Sequence, residues 1–109
     1  MKTLAAAAAL FVAVSATAAA AQSDARLTDA QFVKAARCKG LAKSAALGAI
    51  DTSALDAVIK ANKRARADFV IDRAMNAQDE AQSEANRADD ARKAELIAER
   101  NGACAAFAS

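Results

Sequence analysis

The chain has 109 residues, 36 of them alanine, with no His, Pro, Trp or Tyr, two Cys and a formal net charge of +2. That length holds one domain at most. The missing residue types remove most nucleophile–base pairs, the usual zinc and haem ligands and the best base-stacking platforms. Abundant Ala without Pro argues for helices and against a β-sandwich, whose turns draw on Pro and Gly.

The N-terminal stretch reads as a targeting signal. Lys2 supplies a positive start, Leu4, Leu10, Phe11, Val12 and Val14 lie in an uncharged alanine-rich run, and Ala19 and Ala21 occupy A-x-A positions before Gln22. This pattern predicts a cleavable secretory signal peptide over 1–21. A spanning anchor needs about 20 strongly apolar residues, and this run is shorter and mostly Ala. The expected mature product is a single alanine-rich helical domain over 22–109, with no transmembrane span after cleavage. Mass spectrometry of the exported protein should find an N-terminus at or within a residue or two of Gln22.

Export implies an oxidising compartment, where two cysteines in a small domain read as a disulfide. Cys38 and Cys104 are therefore expected to pair. No C-x-x-C redox motif is present, and no His or further Cys exists to complete a zinc site. Only sixteen large apolar side chains lie beyond residue 21, from Leu27 to Phe107, so the core is thin and such a staple is needed.

Thr28-Asp29-Ala30-Gln31 has the form of a capping box and predicts a helix to about Ala46. Phe32, Ala35, Ala36, Cys38, Leu41, Ala42, Ala45 and Ala46 recur along it near helical spacing. Gly48 suits a left-handed stop, and Gly40 suits a close approach by another backbone. Asp51-Thr52-Ser53 restarts the chain as a second helix with Leu55, Val58 and Ile59 on one face, and Asn62-Lys63-Arg64 breaks it. A third segment begins near Asp68 and carries Phe69, Val70, Ile71 and Met75.

Residues 76–95 contain no large apolar side chain. Ala77, Ala81, Ala85, Ala88 and Ala91 recur at helical spacing and form one stripe, which either packs closely on a neighbour or stays solvated. A turn is expected around Asn86–Asp90. A final helix carries Leu96, Ile97, Cys104 and Phe107, with Asn101-Gly102 as its weak point. The expected fold is all-α: a small helical hairpin or three-to-four-helix bundle stapled by Cys38–Cys104.

Charge is segregated. Residues 22–66 carry nine basic and four acidic side chains; residues 67–109 carry five basic and nine acidic. One reading is mutual compensation across helix surfaces. The other is a basic patch at Lys60, Lys63, Arg64 and Arg66 directed at an anionic partner such as lipid head groups, lipopolysaccharide or an acidic protein. The run has no interleaved aromatic and no surrounding nucleic-acid module, so no nucleic-acid partner is expected.

Catalytic chemistry is weakly represented. Ser44, Ser53 and Ser83 have no His to activate them. The pairs Asp68/Asp72, Glu80/Glu84 and Glu95/Glu99 share helix faces, as acid–base work would need, and equally suit surface pairing with Arg or Lys. A hydrolase using paired carboxylates is the reading from the enzyme class. Asp79, Glu80, Glu84, Asp89 and Asp90 offer oxygen ligands but lack the EF-hand spacing, so neither a dedicated metal site nor a cofactor is expected.

Size, helicity and one wide disulfide are similar to those of small periplasmic acid-stress chaperones, without a shared motif. That similarity implies a mechanism in which protonating thirteen carboxylates takes the mature side-chain charge from +1 towards +14 and loosens a thin core. The function expected is that of a non-enzymatic, periplasmic or secreted helical protein acting through protein or envelope-surface contacts, self-association included. The alternatives are a periplasmic stress chaperone and a binder of anionic lipid or lipopolysaccharide through the basic half.

Overall fold

In a computed structural model that describes residues 26–108, the elements follow the expected order. They are α1 (Asp29–Lys43), a 3-10 turn (Ala45–Leu47), α2 (Ser53–Lys63), α3 (Asp68–Arg87), α4 (Asp90–Asn101) and a single terminal turn, α5 (Ala105–Ala108). No strand occurs among the described residues, and the fold is all-α. The segment 1–21, expected from its sequence to be a signal peptide, lies outside them.

The capping box forms in both directions. Gln31 N–H donates to Thr28 Oγ1 (3.1 Å), and Thr28 N–H donates to Gln31 Oε1 (2.9 Å). Two backbone donors that the first turn cannot satisfy are thereby paired. The C-terminal end differs from expectation by three residues. Helix α1 stops at Lys43, Ser44 turns extended (ψ 119°), and Ala45–Leu47 close a separate 3-10 turn. Gly48 then takes φ 79°, the left-handed region where an L side chain is strained.

Helix α1 lies at the centre. Phe32 and Ala36 pack with Val70 and Ala74, whereas Cys38, Leu41 and Ala42 pack with Ala81 and Ala85. Successive α1 positions meet successive α3 positions, so the two helices run side by side in the same direction. Helix α2 is the return stroke between them. Its start follows Ile50, whose N–H donates to Ala42 O (2.8 Å), and its end meets Leu27 through Asn62. Helix α4 leaves α3 after two residues and crosses the second half of α1, bringing Leu96 and then Cys104 to Cys38. The disulfide Cys38–Cys104 is present, with a Cα–Cα separation of 5.5 Å. Because α1 is covered on several sides, its buried residues Phe32, Ala35, Ala36, Cys38, Gly40, Leu41 and Ala42 do not form a single stripe.

The alanine stripe is packed. Ala81 and Ala85 are fully buried, joined by Ala74, while Ala77 and Ala88 are half-buried. Ala91 departs from the stripe: the Ala88–Asp89 turn places it on α4, where it is exposed. At the crossing, an added methyl on Gly40 would collide with the Gln78 carbonyl oxygen and stand 2.9 Å from Ala81 Cβ. Gly40 therefore admits the α3 backbone, as anticipated, and the alanines opposite supply the matching small surface. Three of the sixteen large apolar residues are exposed: Phe69 (67%), Met75 (60%) and Ile50 (47%). Consecutive residues on a helix point 100° apart, so Val70 turning inward leaves Phe69 outside.

Candidate interaction surface

The exposed Phe69 stands beside an open groove between the first halves of α1 and α3. Asp29, Ala30 and Val33 line it from α1, and Phe69, Val70 and Arg73 from α3; its volume is about 430 Å³. Ala30 and Val33 share an α1 face because they are three residues apart. The floor is apolar, and the two charged residues lie at its rim. Arg73 is exposed and enters no ion pair among the described residues.

The basic run is split by the fold. Lys60, Lys63 and Arg64 are exposed at the end of α2 and in the following turn. Arg66 is withdrawn from this patch. Its Nε donates to Asn62 O (2.8 Å), its Nη1 to Asp29 Oδ1 (2.6 Å) and its Nη2 to Leu27 O. The guanidinium also lies over the Phe32 ring, 4.9 Å from the centroid, a cation–π contact. Its side chain is only 8% exposed. Arg66 thus ties the α2–α3 connection to the start of α1 instead of facing solvent. Asn62 beside it is buried; its Oδ1 accepts from Leu27 N–H (2.9 Å), and its Nδ2 donates to Val58 O (2.9 Å).

Charge compensation between the two halves is concentrated at Arg37. Its Nε and Nη2 grip both oxygens of Glu99 (2.7 and 3.0 Å), and its Nη1 donates to Glu84 (3.1 Å). Arg92 continues the network to Glu84 and to Glu95 (2.7 Å). The Glu99 carboxyl is held below its ordinary range mainly by Arg37, and that of Glu84 mainly by Arg92 and then Arg37. The Arg37 guanidinium is correspondingly raised, first by Glu99. Asp56 is lowered chiefly by Lys39, 2.7 Å away.

These contacts also disperse the carboxylate pairs. Glu95 and Glu99 bind different arginines, Glu84 is committed to two, and Asp68 and Asp72 are exposed. None lines the groove. Among the described residues no group of three or more Asp, Glu or Cys side chains is placed to hold a metal ion. No described helix is long and apolar enough to cross a membrane. The Arg37 hub and the inward turn of Arg66 were not legible beforehand. Asn62 at the break was the nearest signal, since a polar side chain that ends a helix commonly bonds locally. No protein-family model matches the chain, and neither the curated proteins nor the solved structures yield a match.

Proposed function

We propose that the chain is a small, exported, non-enzymatic protein of the cell envelope that holds another protein in the Ala30–Val33–Phe69 groove. The observation that carries this reading is Phe69 itself. A chain with so few large apolar side chains leaves an aromatic 67% exposed beside an apolar floor. Aromatics are enriched at interface centres, where they bury large area at low entropy cost. Arg73 at the rim favours a partner segment that sets an apolar side chain next to a carboxylate. Export is supported by the signal-like pattern over 1–21, and the buried disulfide fits an oxidising compartment.

Site-specific photo-crosslinking in envelope preparations tests the reading. A crosslinker at position 69 should give a discrete adduct that is lost on Arg73→Glu, while the same group at Ser83 on α3 should not give it. Identical patterns from both positions, or no adduct from position 69, would refute the groove. The alternative of anionic lipid or lipopolysaccharide binding keeps Lys60, Lys63 and Arg64 but loses Arg66 to the fold. Salt-sensitive binding to anionic vesicles, abolished by Lys63→Gln with Arg64→Gln, would favour it.

A further inference from the structure

We infer that the Lys63–Arg64 doublet is a site of proteolytic nicking by an endopeptidase of basic specificity, and that the nicked product remains one molecule through Cys38–Cys104. The inference stands independently of the groove. The chain contains two adjacent basic pairs, Lys63-Arg64 and Arg92-Lys93. They are similar in local chemistry and opposite in structure.

Lys63, Arg64 and Ala65 are all exposed. Helix α2 ends at Lys63; Arg64 is extended (φ −63°, ψ 142°), Ala65 takes φ 63°, and Ala67 is extended again. Endopeptidases cut exposed chain that can be drawn out as extended backbone; Arg64 already has that conformation, so only the frayed helix end at Lys63 and the left-handed Ala65 must rearrange. The preceding helix is held by few buried groups, only Leu55 and Asn62, with Val58 and Ile59 half-buried. A helix with so few buried side chains opens locally at low cost up to the Arg66 anchor, which holds the far side of the turn to α1. The second pair is locked. Arg92 and Lys93 lie in the first turn of α4, where Arg92 N–H donates to Asp89 Oδ1 (2.8 Å) and Lys93 N–H to Asp89 O (2.8 Å). The Arg92 guanidinium is held by Glu84 and Glu95.

Hydrolysis adds one water across the peptide bond. The C–N bond breaks, hydroxide adds to the carbonyl carbon on the N-terminal side, and the proton goes to the new amine. Cys38 lies in the fragment before the cut and Cys104 in the fragment after it. The nick therefore leaves a two-chain product joined by the disulfide, which reduction separates. Before nicking, reduction loosens one chain; after it, reduction releases two.

Timed digestion of the oxidised mature protein with dilute trypsin, read by intact-mass spectrometry, tests this. Cutting at Lys63–Arg64 or Arg64–Ala65 should precede cutting at Arg92–Lys93 by at least tenfold. The early product should weigh one water more than the intact chain without reductant and split into two fragments with it. Lys63→Gln combined with Arg64→Gln should abolish the early cut while leaving the helical circular-dichroism signal unchanged. Comparable rates at the two pairs overturn the inference. So does an early cut that persists after Arg66 in the double variant, or fragments that part without reductant.

Discussion

Gly40 shows how one atom decides a helix crossing. Alanine is the better helix former by about 1 kcal/mol, so on local propensity alone Gly40→Ala should stabilise α1. The new methyl would meet the Gln78 carbonyl and Ala81 Cβ, both parts of a packed neighbouring helix, and overpacking of this kind costs about 1–3 kcal/mol. Gly40→Ala should therefore lower the urea midpoint, and an increase would mean that the crossing is looser than its geometry. Arg37 acts at the same scale through charge. Glu84 and Glu99 are held below their ordinary range, so the unfolded chain takes up protons before the folded one as pH falls. Their contribution is complete above the unfolded carboxyl value of about 4.3 and disappears as pH drops through the lower folded values. Arg37→Met should destabilise by about 1 kcal/mol at pH 7, and the gap to the parent should narrow towards pH 2. Denaturant titrations at the two pH values check both the loss and its sign.

Elements in this protein recognise one another by small size more than by large apolar bulk. Ala74, Ala81 and Ala85 let α3 lie close along α1, and Leu41 and Leu96 fill the space beyond. Ala81→Leu or Ala85→Leu should force these helices apart at a cost of about 1–3 kcal/mol. Ala91→Leu, exposed on α4, should change the melting temperature little, since Leu remains a good helix former. Equal melting temperatures for all three variants would mean an open stripe. The elements themselves were legible because their signals are local: the capping box at Thr28, the left-handed turn at Gly48, the break at Asn62–Arg64 and the alanine spacing. The parallel course of α1 and α3 was not, because it depends on contacts some 40 positions apart that leave no periodic trace. The exposure of Phe69 was not legible for a related reason. The Phe69-Val70-Ile71 run looks uniformly apolar, and only the neighbouring helix selects Val70 for burial. The candidate groove, made by two helices, was correspondingly invisible in the sequence.

At the level of the whole molecule, two modest apolar clusters are joined through α1, and the disulfide closes the larger one. Closing a loop of 66 positions removes chain entropy worth about 4 kcal/mol from the unfolded state. For a thin core that is a large share of the total, since whole domains are stable by only about 5–15 kcal/mol. Cys38→Ser should lower the unfolding free energy by roughly 2–5 kcal/mol, measured by denaturant titration at fixed pH. Parent-like stability would shift that weight to the Arg37 network and the α1–α3 packing. The pairing itself was legible from two cysteines in a chain with an export-like start. That the C-terminal segment docks on α1 followed from the same pairing; the crossing of α4 over α1 that brings Cys104 there did not.

The same closure determines how the protein bears tension. Cys38 lies within α1 and Cys104 beside the last turn, so a pull applied between residues 26 and 108 travels through the sulfur–sulfur bond. Helices α2, α3 and α4 lie inside the closed loop, off the covalent path of the load. In the oxidised protein only 26–38 and 104–108 can lengthen, about 50–60 Å at full extension, against about 280 Å once the bond is reduced. Single-molecule stretching with and without reductant should give these two contour lengths. The fold would then act as a short link whose slack is set by redox state.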